Sequence, residues 1–243
     1  MVRDPRAEVP SVKKTMGKTL DRRAFAGLLA QATMSATAAA AGDWERVLRS
    51  TDGSPIRSHA LPLDRLLAGL EGAQSDAPTT GSHTDRIVEL FDYNCGFCRE
   101  AARPLDRFVA DTSSLHLVML HLPVLGAGSR DVAVLQQALF RQHGFALARR
   151  LHLALMDARG PIDGKRALDV AHALGVDPAA VPEAMRHQAA GDIAAMLDRA
   201  HQFGLKTTPT FVLADTAFIG WPGVETLQTF IAAKRHCGAL TCG

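Results

Sequence analysis

Two kinds of apolar pattern divide the chain: short unbroken runs, and long stretches in which apolar positions recur every three or four residues. Ile87-Val88-Glu89-Leu90 and Leu115-His116-Leu117-Val118-Met119-Leu120-His121-Leu122 are runs of the first kind, with the length and composition of buried strands. Between them Ala101, Ala102, Leu105, Phe108 and Val109 mark one face of a helix, so the two strands are predicted to be parallel through a βαβ crossover. From Ser129 to Phe203 the spacing is helical throughout. Leu135 and Leu139 define one helix, Leu147, Leu151 and Leu155 a second, and Leu168, Ala171 and Leu174 a third that stops at Gly175. Asp177-Pro178 reads as an N-cap with Pro at the first helical position, and Ile193, Met196, Leu197, Ala200 and Phe203 form a further stripe closed by Gly204. After Thr207-Thr208-Pro209 come strands at 210–213 and 218–219 about a turn near Asp215, then a helix carrying Leu227, Phe230 and Ile231.

The first third of the chain is patterned more weakly. Asp43 to Leu48 suggests a short helix, Thr51-Asp52-Gly53-Ser54-Pro55 is turn chemistry, and Leu63, Leu66, Leu67 and Leu70 give an amphipathic helix over 62–72. Gln74 to Asp85, rich in Ser, Asp, Pro, Thr and Gly, reads as a linker, which places the start of the main domain near Thr84. The expected organisation is therefore an N-terminal segment 1–41, a helical extension and linker 42–83, an α/β domain 84–236 with a helical insertion at about 129–190, and a cysteine-containing tail 237–243.

Segment 1–41 resembles a twin-arginine export signal. Arg22-Arg23 precedes a charge-free run from Ala24 to Ala41 that ends in small residues. Gln31, Thr33, Ser35 and Thr37 make the run too polar for a membrane span, and an uncleaved cytosolic amphipathic helix is the alternative reading. Met16 competes with Met1 as the start. Export would place the protein in the periplasm.

Composition narrows the partners. With 243 residues and 47% hydrophobic content the chain has ample core. A net charge of +2, with charges interspersed, gives no basic surface for nucleic acid. The four cysteines fit an oxidising compartment if the chain is exported.

Two of those cysteines carry the candidate chemistry. Cys95-Gly96-Phe97-Cys98 lies where the first strand hands over to the first helix, so Cys95 meets unpaired N–H groups and the positive end of the helix dipole, both of which favour a thiolate. A C-x-x-C pair is also a zinc half-site, but Cys237 and Cys242 are wrongly spaced and remote for a second half. An inert disulfide is disfavoured by so tight a loop, in which Gly96 serves the turn. The tail cysteines can close a disulfide that ties down the last helix, or act in a redox relay.

The order strand, C-x-x-C helix, strand, helical insertion, Thr-Pro, two strands, helix resembles the thioredoxin fold of DsbA-type thiol:disulfide oxidoreductases, over about residues 85–236. Phe91-Asp92-Tyr93-Asn94-Cys95-Gly96-Phe97-Cys98, Leu122-Pro123-Val124-Leu125-Gly126 and Thr208-Pro209-Thr210-Phe211-Val212 are similar to the subgroup of periplasmic isomerases and copper-sensitivity suppressors. The resemblance implies Cys95 as attacking thiol, Cys98 as resolving thiol and Pro209 as a cis-proline facing them. Thr208 would offer its backbone to an extended substrate, Gly96 and Phe97 would meet that substrate, and Glu89 would be a buried acid relaying protons to Cys98. Two departures stand out. The lysine that relatives pair with this acid is replaced by what reads as Leu120, beside His121, and a histidine before the second cysteine of strong oxidants is replaced by Phe97.

The implied activity is formation, reduction or isomerisation of disulfides in exported proteins, with a membrane redox partner and no cofactor. A soft-metal module using Cys95 and Cys98, with His236, Cys237 and Cys242, is the alternative. In related isomerases an N-terminal extension oligomerises the protein, which favours self-association through residues 43–80 over docking of the leucine stripe on its own domain.

Overall fold

The computed structural model describes Trp44 and residues 46–77, 85–112 and 114–242. Segment 1–41, expected to be an export signal, lies outside the described residues. A seven-stranded mixed sheet is assembled from β1 (Arg46–Arg49), β2 (Pro55–Ala60), β3 (Gln74–Ser75), β4 (Asp85–Phe91), β5 (Leu115–His121), β6 (Thr210–Leu213) and β7 (Thr216–Ile219), in the order β1-β2-β7-β6-β4-β5-β3. Among the described residues only β4 and β5 pair in parallel, as the crossover through α2 (Gly96–Asp111) requires.

The alternation of β4 and β5 explains why they read as unbroken apolar runs: both faces are covered. Ile87, Phe91, Leu117 and Met119 face a cluster shared with α2, α7 (Val224–Cys237) and the helices of the insertion. Val88, Leu90, Val118 and Leu120 face the other side, against α1 (Leu63–Leu67) and α6 (Glu183–Gln202). The insertion is α3 (Ala127–His143), α4 (Phe145–Asp157), α5 (Gly164–Ala173), a 3-10 turn at Pro178–Ala180, and α6. It thus ends at Gln202, beyond the expected limit near 190.

Residues before 84 differ most from expectation. Of the segment expected as a helix at 43–48, residues 46–48 belong to β1, which pairs with β2 as a hairpin around Gly53, whose φ of +86° suits glycine. β2 continues onto β7, so this hairpin extends the main sheet. Within the expected linker, Gln74 and Ser75 pair with Met119 and Val118, and Gln74 is fully buried. The sheet of the main domain therefore takes in residues from Arg46 onward, not from about 84.

The leucine stripe is likewise used internally. Leu63, Leu66, Leu67 and Leu70 are all buried in the cluster beneath Val88 and Leu90. The helix is shorter than expected, five residues with Gly69 at φ +70° just beyond it. Self-association through this stripe, favoured above, is corrected: the apolar face that would drive it is consumed in cis.

Candidate active site

β4 ends at Phe91, and the next four residues turn the chain into α2. Asp92 makes the turn rigid: its carboxylate accepts from the backbone N–H of Asn94 at 2.8 Å and of Leu125 at 2.9 Å, and from the Ser129 hydroxyl at 2.7 Å. Asn94 then bridges to the insertion, accepting from Ile162 N at 2.7 Å while donating to Ile162 O at 2.8 Å and Ser129 Oγ at 2.9 Å. Arg99 adds a clamp from the first turn of α2, donating to the carbonyls of Tyr93, Ala158 and Gly160.

These contacts leave Cys95 at the N-cap of α2, 7% exposed, with Cys98 fully buried one turn in. Both are free thiols. Antiparallel pairing of β6 with β4 sets Thr210 opposite Leu90, which brings the preceding Thr208-Pro209 turn against the dithiol. The Thr208-Pro209 bond is cis, and the Cys95 thiol, when protonated, donates to the Thr208 carbonyl at 3.2 Å.

Electrostatics separate the two sulfurs. The Cys95 pKa falls to about 6, chiefly because the Cys98 thiol donates a hydrogen bond to the thiolate; burial opposes this, and the Thr208 side chain and the N–H groups of Cys98 and Phe97 add to it. Cys98 moves strongly upward, first through burial, then through its bond to Cys95 and the charge of Glu89. One thiol is therefore an ionised nucleophile at neutral pH while its partner keeps its proton.

Glu89 is fully buried, and both carboxyl oxygens lack a hydrogen-bond partner within the described residues. Burial, reinforced by the Cys95 charge, raises its pKa to about 8. Register revises one expectation: Glu89 lies opposite Met119, not Leu120, because Leu120 pairs with Leu90 and points into the other layer. Met119 offers no charge to Glu89. His121, on the same face, lies 2.8 Å from Gln136 Oε1 and 3.1 Å from Gln74 Nε2, and burial lowers it to about 4, so it is neutral. The buried Tyr93 hydroxyl also has no partner among the described residues, and burial followed by the Glu89 charge pushes its pKa well upward.

The Phe97 side chain is 65% exposed and presents an aromatic surface that offers the thiolate no hydrogen bond, so Phe97 acts on Cys95 through its backbone N–H alone. Val124 and Leu125, in the loop after β5, are also exposed apolar residues. Gly96, the first residue of α2, has open space where a side chain would project.

Cys237 and Cys242 form a disulfide at the far end of the molecule. Lys234 and Arg235, just before Cys237, pair with Asp85 at the start of β4, whereas Cys95 follows its end. A four-thiol metal site is thereby removed: the tail cysteines and His236 do not approach Cys95 and Cys98. Among the described residues no group of three or more His, Cys, Asp or Glu side chains gathers as a metal site. Asp92, Asn94, Arg99 and Ser129 carry functions that the sequence reading passed over; the signal available was two polar residues inside an otherwise buried strand-to-helix turn.

Comparison with known proteins agrees with this architecture. Residues 86–232 match the DsbA-like thioredoxin domain, a span of more than half the chain. A thioredoxin-like oxidoreductase from Silicibacter pomeroyi DSS-3 superposes with a TM-score of 0.60 at 25% identity, covering 72% of this chain and 99% of that one. A periplasmic thioredoxin-like protein from Salmonella enterica serovar Typhimurium gives 0.60 at 21% identity over 70% and 94% of the two chains. The catalytic domain of Proteus mirabilis ScsC gives 0.58 at 18% identity over 71% and 92%. No curated protein sequence matches the chain significantly.

Proposed function

We propose that this chain, which belongs to the DsbA-like thioredoxin-domain family, is a periplasmic oxidoreductase that exchanges disulfides with cysteines of exported proteins. The observation that carries the reading is the paired environment of the two thiols, an ionised Cys95 at a helix N-terminus over a protonated, buried Cys98. Attack requires a thiolate, and Cys95 supplies one. In the reductive direction the Cys95 thiolate attacks a substrate disulfide and expels one substrate thiolate, leaving a mixed disulfide on Cys95. Once Cys95 is in the mixed disulfide its charge no longer adds to the rise in the Glu89 pKa; the ionised fraction of Glu89 takes the Cys98 proton, and the Cys98 thiolate attacks Cys95, expelling the second substrate thiolate and closing the Cys95–Cys98 disulfide. The oxidative direction is the same sequence reversed, with substrate thiols oxidised and the protein reduced.

Thr208 and Pro209 support polypeptide as the substrate. The turn holds backbone next to Cys95, where an extended segment can lie, and Phe97, Val124 and Leu125 give it apolar contact. Arg22-Arg23 and the small-residue run before Ala41 support export by the twin-arginine route, and a membrane redox partner would reset the dithiol. Reduction of insulin and refolding of a scrambled disulfide protein test the activity, and fractionation of cells with Arg22→Lys and Arg23→Lys tests the route. Absence of both activities in purified protein would overturn the reading.

A further inference from the structure

We propose that the cleft beside Gly96 is a second substrate subsite, one that takes an apolar side chain next to the substrate cysteine held on Cys95. This rests on the disulfide-exchange reading above. The cleft has a volume of about 600 Å³, within the range of ligand pockets. Leu125 forms one wall, and Gly160, Pro161 and Ile162 of the α4–α5 connection form the other, with Gly96 joining the cleft to the dithiol. No residue of the Thr207–Thr210 turn lines it, so it is distinct from the backbone-pairing surface at Thr208.

Its walls are fixed in place. The two-way bond between Asn94 and Ile162 holds the far wall to the dithiol turn, and Gly128 approaches so closely that a Cβ there would lie 3.3 Å from the Ile162 carbonyl. Much of the polar lining is also spent on itself. Both amide hydrogens of Asn94 are donated, Ser129 accepts from Asn94 and donates to Asp92, and Arg99 gives three of its five N–H groups to carbonyls. What remains for a ligand is the half-exposed Leu125, Pro161 and bare glycine backbone, with the last two Arg99 N–H groups and the Asp163 carboxylate as the polar exceptions. A polar side chain laid between Leu125 and Pro161 gives up water without replacement, whereas an apolar one gains burial.

The occupant follows from the covalent step. A substrate cysteine in mixed disulfide with Cys95 is tethered at the mouth of the cleft, and neighbouring residues lie about 3.5 Å further along the chain each. Gly96 leaves that path open, since no atom lies within 4 Å of where its Cβ would be.

The test uses reduced full-length protein and two peptides that differ only in having leucine or asparagine on both sides of one cysteine, each cysteine disulfide-linked to thionitrobenzoate. The Cys95 thiolate attacks the peptide sulfur and expels coloured thionitrobenzoate; Cys98 then releases the reduced peptide and closes Cys95–Cys98. The leucine peptide should react about tenfold faster in kcat/KM, a lower bound for burying one such side chain. Leu125→Glu and, on the facing wall, Pro161→Glu should each bring the ratio toward one. Equal rates in the wild type, or an unchanged ratio in both variants, would overturn the subsite. Failure of the wild type to react even with the thionitrobenzoate disulfide of free cysteine would overturn disulfide exchange itself, and the subsite with it.

Discussion

Replacing Glu89 by Gln removes a single titrating group from the interior and changes how stability depends on pH. Its pKa is raised from 4.5 to about 8, with burial the larger cause and the Cys95 charge the smaller. A raised carboxyl pKa means that folding favours the protonated form. The stability Glu89 contributes is thus fully present below pH 4.5 and is lost as pH rises through about 8. Each pH unit across that window removes about 1.4 kcal/mol, for a total of about 5 kcal/mol above pH 8. Gln keeps the shape and has no such dependence, so the stability difference, variant minus wild type, should climb by that slope from pH 4.5 to 8 and be flat on either side. Any constant cost of burying the amide shifts the whole curve without changing its slope. Urea unfolding of the reduced proteins at several pH values measures it. A difference independent of pH would refute the assignment of Glu89 as a buried, protonated acid at neutral pH. The same substitution should slow closure of Cys95–Cys98, because Cys98 loses the base that takes its proton.

Thiolate absorbance of the reduced protein should titrate near pH 6 for Cys95, giving about 90% thiolate at pH 7 against about 1% for a cysteine at 9.0; titration near 9 would remove the activated nucleophile. Asn94→Ala should cost about 2–3 kcal/mol in urea unfolding, because it breaks three hydrogen bonds and strands the buried Ile162 backbone; a loss under about 0.5 kcal/mol would mean that the bridge is not structural. Changing both Cys237 and Cys242 to Ala should lower stability by about 2 kcal/mol, from the short loop they close, and leave insulin reduction unchanged. A change in insulin reduction would show that the tail takes part in exchange.

Legibility in the sequence tracked how local the determining forces are. β4, α2, β5 and the insertion helices are marked by their own periodicity, and Cys95, Cys98, Thr208 and Pro209 are recognised from short motifs at element junctions. Even so, α2 runs through Pro104, whose missing N–H would suggest a break, because burial of Ala101, Leu105 and Phe108 on the sheet outweighs one lost hydrogen bond. β1 and β3 were not legible. β1 has three of its four residues exposed and β3 is two residues long, so neither has a period of its own; each exists because a neighbouring strand presents unpaired backbone. The residue facing Glu89 is Met119, one position from the expected Leu120, and in a strand one residue transfers a side chain to the opposite layer. The roles of Asp92, Asn94 and Ser129 depend on loops that are distant in sequence and meet only in the folded chain.

Covalent trapping tests the central claim most directly. Cys98→Ser protein, reduced and mixed with a disulfide-containing polypeptide, should accumulate a mixed disulfide that peptide mapping by mass spectrometry assigns to Cys95, because attack proceeds and resolution cannot. The Cys95→Ser protein, whose remaining thiol is buried and protonated, should form none. No adduct on Cys95 in the first protein, or equal adduct in both, would contradict the account.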